Sequence, residues 1–254
     1  MYAVVTGASS GLGAEFARNL ASRHYDLCLA ARRESKLGQL KAQLERDHGI
    51  RVDTFSVDLS TEQGMRALHE FTSDKDVDIL VNDAGIFVTG MPDRIDLAGE
   101  MAMLDINVKA MHYLTRLFLR DMIARDKGRI LNVASVAGWL FIPTWAAYSA
   151  GKAYMVHLTA ALAHELRLMK SRARVAVVTP GYLNTEIAGP HLRMVEQNRS
   201  IPKYIDSVVT KFLKGNDVIV LGRDRLLALS SRLAPRNLVM QIALRSVTKT
   251  FIPR

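Results

Sequence analysis

The chain predicts an α/β fold, a single doubly wound domain whose mostly parallel, seven-stranded sheet is covered by helices on both faces. Three observations carry that prediction. Apolar, β-rich runs alternate with stretches of helical periodicity, a glycine-rich turn joins the first run to the first helical stretch, and 254 residues without a linker-like break suit one large domain.

The runs are Ala3 to Val5, Asp26 to Ala31, Arg51 to Val57, Val77 to Val81, Arg129 to Val133, Ala173 to Val178 and Asp217 to Leu221. Between them, Leu12, Phe16 and Leu20, then Leu37, Leu40 and Leu44, then Met65, Leu68 and Phe71 recur at helical spacing. Longer patterns at 96 to 125 and 147 to 171 read as the central helices of one face. Such alternation builds right-handed strand-helix-strand units, and a sheet made of them binds ligands at the carboxyl ends of its strands. Neither an internal repeat nor a low-complexity segment interrupts the pattern.

Composition narrows the class. With 49% hydrophobic and 23% charged residues, the chain has the makings of a substantial core, which argues against disorder. The single cysteine, Cys28, lies in the apolar run Leu27-Cys28-Leu29-Ala30-Ala31 and reads as a small buried hydrophobe in a reducing compartment. No basic region or cleavage site precedes Tyr2-Ala3-Val4-Val5, and apolar stretches such as Asn237 to Leu244 fall far short of the about 20 residues a membrane span needs. A soluble cytoplasmic protein is expected. His157 and His164, seven apart on one predicted helix, show no metal-ligand pattern, and no metal is expected.

The net charge of +9 is uneven, because residues 193 to 254 hold 12 basic and 4 acidic side chains. From residue 223 to 254 the sequence mixes Leu226, Leu227, Leu229, Leu233, Leu238, Val239, Ile242 and Phe251 with Arg232, Arg236, Arg245 and Lys249. This basic amphipathic segment reads as a packed helix with a solvated face, or as one that lies on an anionic membrane or covers the active-site mouth. No nucleic-acid motif accompanies the charge.

Two places carry chemistry. In Thr6-Gly7-Ala8-Ser9-Ser10-Gly11-Leu12-Gly13, at the first strand-helix junction, small residues let a pyrophosphate approach backbone amides and a positive helix end. At the end of the second strand, Arg32 and Arg33 stand where a carboxylate would bind the ribose 2′-hydroxyl of NAD. Two guanidinium groups favour a 2′-phosphate, Arg32 more than Arg33, so NADP(H) is the expected cofactor. Further along, Tyr148 and Lys152 are four residues apart, on one face of a helix. A phenol has a pKa of about 10 in water, and a fixed cation beside it favours the phenolate. Ser135 supplies a third polar group.

Together these residues resemble the short-chain dehydrogenase/reductase family, and the resemblance covers nearly the whole chain. It implies a Rossmann fold and an NADP-dependent oxidoreductase acting on CH-OH or C=O. Gly7, Ser9, Ser10, Gly11, Leu12 and Gly13 match the cofactor turn, and Asp58 and Leu59 match the pair that meets the adenine. Asn82, Ala84 and Gly85 match the turn after the fourth strand, with Asp83 replacing the usual second asparagine, a departure that bears on turn stability. Pro180, Gly181, Leu183 and Thr185 match the turn on the nicotinamide side. Asn107, Ser135, Tyr148 and Lys152 match the catalytic set. Tyr148 is implied to donate the proton, Ser135 to polarise the carbonyl, Lys152 to lower the tyrosine pKa and bond the ribose, and Asn107 to hold a water for proton relay.

The segment between Ser135 and Tyr148 contains Trp139, Phe141 and Trp145, and the resemblance places it, with Tyr182, against the substrate. Its aromatic character points to a bulky, hydrophobic, lipid-like or steroid-like carbonyl or alcohol. Leu140 and Ile142 suit the core or an interface equally well, and residues 182–203 would form a lid. Relatives associate as homodimers or homotetramers, for which Arg116 to Met122 and Tyr154 to Leu166 are candidates. A catalytically silent dinucleotide-binding or membrane-associated scaffold is the alternative, yet all four members of the polar set are present. An epimerase or dehydratase fits less well, since such relatives are longer.

Overall fold

The computed structural model describes residues 1–188, 200–222, 224–235 and 237–241. Of the predicted lid, residues 189–199 lie outside the described residues, as do 223, 236 and 242–254 of the basic tail. The strands are β1 (Tyr2–Thr6), β2 (Asp26–Ala31), β3 (Val52–Ser56), β4 (Val77–Asn82), β5 (Arg129–Val133), β6 (Arg174–Val178) and β7 (Val218–Ile219). They form one sheet in the order β3-β2-β1-β4-β5-β6-β7, and every pair is parallel. The chain starts in the middle, builds out to β3, and crosses back to place β4 beside β1. At that reversal the connections diverge and leave a crevice beyond the carboxyl ends of β1 and β4.

Strand alternation sorts the core into two layers. Ala3 and Val5 of β1 and Leu27 and Leu29 of β2 face the layer holding Phe16, Leu20, Leu37, Leu40, Leu44 and Phe212. Those residues come from α1 (Gly11–Ala21), α2 (Glu34–His48) and α7 (Ile201–Leu213). Val4 and Cys28 face the opposite layer, which holds Met65, Leu68, Leu114, Phe118, Met122, Leu162 and Leu166. These belong to α3 (Glu62–Phe71), α5 (Met111–Ala124) and α6 (Ala146–Leu168). Cys28 is fully buried, and burial pushes its thiol up to about 12, so it stays a protonated core residue. Truncating a leucine this deep, such as Leu29, costs about 2–5 kcal/mol.

One predicted helix is interrupted. The span from 96 to 125 comprises α4 (Leu97–Leu104), a wider π-helical turn over Asp105–Ala110, and α5. Asp96 caps α4 by accepting from the Ala98 amide at 3.1 Å, and the π turn carries Asn107. Such turns inside helices are frequent at functional sites. α8 (Asp224–Leu233) follows β7 and packs against the short turn Val136–Trp139 after β5. Among the described residues no helix is long and apolar enough to cross a membrane.

Candidate active site

The crevice begins with backbone packed on backbone. Gly7 adopts φ +70°, and a Cβ there would come within 2.9 Å of the Ala84 amide nitrogen. A Cβ at Gly13 would lie 2.5 Å from the Gly7 carbonyl and 2.9 Å from Asp83 Oδ2. Only glycine allows the turn after β1 to press against the turn after β4 this closely. Thr6 Oγ1 fastens the two by accepting from the amides of Asp83 at 3.0 Å and Ala84 at 3.1 Å. Ser10 occupies the N-cap of α1 without a side-chain cap bond, and the first turn holds no acid. The amide-rich positive end of α1 therefore opens onto a cavity lined by Gly7, Ser10, Gly11 and Leu12, a fit for a dinucleotide's phosphates.

At the end of β2 the two arginines separate. Arg33 reaches back over the turn, donating to Ser9 Oγ at 2.9 Å, Ser10 Oγ at 2.6 Å and Glu186 Oε2 at 2.9 Å. Arg32 is exposed and lies on the side of Asp58, whose carboxyl it helps hold below the usual range behind the dominant bonds from Ser60. Arg33 stands at the N-cap of α2, where the chain turns back toward the glycine turn. Leu59 is buried in the core, while Asp58 is exposed.

Asn82 likewise turns inward. Its Nδ2 donates to Asn132 Oδ1 at 2.9 Å and to Thr115 Oγ1 at 3.2 Å, and Asn132 Nδ2 donates to Thr159 Oγ1 at 2.9 Å. This buried polar ladder ties β4 and β5 to α5 and α6 directly below the site.

The polar set converges at the carboxyl ends of β5 and β6. Ser135 caps the turn Val136–Trp139, accepting from the Ala137 amide at 3.2 Å, and its Oγ donates to the Pro180 carbonyl at 3.4 Å. Tyr148, in the first turn of α6, is hydrogen-bonded with Ser135. One turn later Lys152 is buried, donates from Nζ to the Val133 carbonyl at 3.0 Å, and lies 5.7 Å from the centre of the Tyr148 ring.

Burial, more than charge, governs these two groups. It pushes the Tyr148 phenol up to about 12 against the lowering effect of the Ser135 bond, where the sequence reading expects a depressed phenol. Burial also brings the Lys152 ammonium down to about 8, opposed by the attraction of Asp83. Asp83 itself is pushed up to about 7 by burial, with Lys152 and the Gly13 amide acting the other way.

Asn107 binds backbone with its side chain. Its Oδ1 accepts from the Ile86 amide at 2.9 Å and its Nδ2 donates to the Ile86 carbonyl at 2.8 Å. The side chain thus clamps the loop after β4, a task set by its place in the π turn.

The cavity, of about 430 Å³, is lined by the glycine turn and by a set of apolar side chains. Ser135, Trp145, Tyr148 and Tyr182 line it as expected, together with Lys152, Gly85, Pro180, Gly181, Leu183 and Thr185. Two predicted substrate residues do not line it. Trp139 turns toward a cluster of Met111, Ala134 and Met155, its indole N–H donating to Thr179 Oγ1 at 3.3 Å, because the short turn it ends aims it at the core. Phe141, just past that turn, is 49% exposed. Ile142 both packs in the core and lines the cavity.

Sequence reasoning missed Phe87 and Asp224, which also line the cavity, as do Glu186 and Ile187 of the expected lid, Leu227 of the basic tail and Asp83 of the turn after β4. Phe87 packs edge-on against both Trp145 and Tyr148, at 4.8 Å between ring centres in each case, and its position two residues after Gly85 was the available signal. Asp224 has no local signal, since its partner Gly181 lies far back in the chain.

Comparison with known proteins agrees with this geometry. Residues 1–196 match the family model described as short chain dehydrogenase. The chain is 34% identical over 189 residues to an uncharacterized oxidoreductase of Staphylococcus saprophyticus, covering 74% of this chain and 80% of that protein. It is 34% identical over 219 residues to the very-long-chain 3-oxoacyl-CoA reductase of Laccaria bicolor, covering 83% of this chain but only 62% of the relative's length. Among solved structures, a short-chain dehydrogenase from Sphingobium yanoikuyae in complex with NADPH superposes with a TM-score of 0.82 at 27% identity, covering 91% of this chain and 93% of that one. The chain belongs to the short-chain dehydrogenase/reductase family and is a hydride-transfer oxidoreductase.

Proposed function

We propose that this protein uses NADP(H) to interconvert a bulky, hydrophobic carbonyl and its secondary alcohol. One observation carries the reading: the Ser135, Tyr148 and Lys152 set opens into a cavity that is also lined by the uncapped end of α1 and by Phe87, Ile142, Trp145, Ile187 and Leu227. When bound, the nicotinamide supplies or accepts the hydride. The phosphates would lie against Ser10, Gly11 and Leu12, and Arg33 would bond the 2′-phosphate. The NADPH complex of the Sphingobium relative supports the choice of dinucleotide, and the fungal relative supports a carbonyl on a long apolar chain.

Tyr148 is the proton donor in the reducing direction. With its phenol pushed up to about 12 it is protonated at neutral pH, ready to donate as negative charge grows on the substrate oxygen. Ser135 Oγ donates to the same oxygen and fixes its place. Lys152 is still largely charged at neutral pH, and its ammonium favours the phenolate left behind. Asn107 contributes by holding the loop at Ile86.

The test is NADPH oxidation against ketones, aldehydes and 3-oxoacyl thioesters graded by apolar length. The expected result is a rise in kcat/KM with apolar size and a preference for NADPH over NADH. Cofactor binding without turnover across the panel would favour the silent scaffold. The same reading places a homodimer or homotetramer contact on α5 and α6, where Tyr154 is exposed and accepts or donates a bond with His112 Nδ1 at 2.6 Å. A second proposal concerns the tail: Leu226, Leu229, Leu233 and Leu238 are exposed within a strongly basic segment, which supports contact with an anionic membrane. Co-sedimentation with anionic against neutral vesicles tests it.

A further inference from the structure

Two carboxylates in the cavity wall take no part in the proton transfer, and each meets one of the glycine turns that frame the cavity. Asp83 accepts from Gly13, and Asp224 accepts from Gly181. Asp224 is the more telling, since it comes from a distant part of the chain. It opens α8, is 1% exposed, and its Oδ2 accepts from the Gly181 amide at 3.0 Å. The approach is close enough that a Cβ at position 181 would fall 2.3 Å from Asp224 Oδ1.

The other side of the same turn faces the chemistry. The Pro180 carbonyl accepts from Ser135 Oγ at 3.4 Å and from the Val136 amide at 2.8 Å. Leu227, one helical turn after Asp224, lines the same cavity as Tyr182 and Trp145. Asp224 therefore joins two parts of the wall: the turn that meets Ser135 and the helix that supplies Leu227. A buried carboxylate bonded to a backbone N–H is a strong, directional tie.

We infer that Asp224 is a positioning residue, which fixes the Pro180–Gly181 turn and seats α8 as the wall of the substrate cavity. α8 is then part of the site, and the width of the cavity at Leu227 depends on that carboxylate.

Hydrogen exchange tests the tie without any substrate. In Asp224→Ala the peptide 179–183 should exchange at least about tenfold faster, as loss of a charge-assisted bond implies, while the β1 peptide 2–6 keeps its protection. Asp224→Asn retains an oxygen acceptor of the same size and should restore protection to within about threefold. Equal exchange at 179–183 in wild type and Asp224→Ala, or the same acceleration at 2–6 as at 179–183, overturns the inference. A kinetic arm rests on the proposed activity: Asp224→Ala should raise KM for bulky ketones by about tenfold and for small ones by much less, with rescue by Asp224→Asn. A uniform loss of kcat with the KM ratio unchanged would mean that Asp224 serves stability alone. Should wild type turn over nothing in the panel, the activity fails while the exchange result still decides the tie.

Discussion

Arg33 and Glu186 pair beside the cavity at the glycine turn, with Arg33 Nη1 donating to Glu186 Oε2 at 2.9 Å. The same guanidinium holds the hydroxyls of Ser9 and Ser10, so it ties the end of β2 to the glycine turn and to the segment after β6. The bonds from Arg33 and Ser10 keep the Glu186 carboxyl below its ordinary range. Both side chains are largely exposed, and water and salt screen the pair, so it is worth at most about 1 kcal/mol.

Such a weak pair yields to a better anion. A 2′-phosphate offers Arg33 charge-assisted bonds of about 1.5–3 kcal/mol, so Arg33→Ala should weaken NADPH binding roughly 10- to 100-fold and NADH binding far less. Glu186→Gln removes the competing carboxylate and should tighten NADPH binding by up to about fivefold. Fluorescence titration of the two cofactors against the two variants measures both. Equal losses for NADPH and NADH in Arg33→Ala would remove Arg33 from 2′-phosphate recognition.

Tyr148→Phe deletes one hydroxyl in a wall otherwise closed by Phe87 and Trp145. The ring packing survives, so the fold and the dinucleotide end should be intact. Loss of a positioned proton donor should lower kcat about 10²- to 10⁴-fold. Steady-state turnover beside NADPH titration is the measurement, and a variant that keeps most of its activity would assign the proton to another group.

Much of this was legible in the sequence. The strands stood out because each is a short apolar run, and alternation in β1 and β2 assigns their side chains to the two layers seen here. The Tyr148 and Lys152 pair was legible because its spacing on α6 is local. What the sequence concealed was direction. Adjacent Arg32 and Arg33 differ only in which way the chain turns at the N-cap of α2, and Trp139 and Phe141 differ from Trp145 by the geometry of one short turn. The π turn at Asn107 has no apolar signature, since its residues continue the helical pattern. Asp224 was hidden because a contact between residues 43 apart leaves no trace in local composition.

Asp83 gives the protein a pH dependence whose sign follows from burial. Its folded pKa, about 7, lies above the ordinary value of 3.8, so between these limits the folded state binds more protons than the unfolded one. Stability contributed by the protonated carboxyl is thus present at low pH and lost as pH rises toward 7. Lys152, lowered from 10.5 to about 8, has the opposite slope, at higher pH: the unfolded state binds more protons there, and stability rises between about 8 and 10.5. Asp83→Asn should remove the first slope. The Tm of the variant relative to wild type should climb from pH 4 to pH 7, and thermal melts across that range check it. A constant difference would show that Asp83 has an ordinary carboxyl pKa.

Asn132 is the centre of the ladder below the site, accepting at Oδ1 from Asn82 and Thr115 and donating from Nδ2 to Thr159. All four side chains are buried, with Asn132, Thr115 and Thr159 showing no exposed surface. Asn132→Ala would leave the Asn82 amide and the Thr159 hydroxyl short of partners in a dry layer, at about 1–3 kcal/mol for each group left unsatisfied. A loss of about 3 kcal/mol corresponds to a fall in Tm of roughly 6–12 °C for a chain of this size. Because β4 and β5 both end at the site, the same variant should loosen the Asp83 and Ser135 turns and lower kcat at temperatures well below the melt. Thermal unfolding and turnover measured on one preparation distinguish the two effects. Unchanged Tm would show that water replaces the lost partners, and unchanged kcat beside a lowered Tm would confine the ladder to stability.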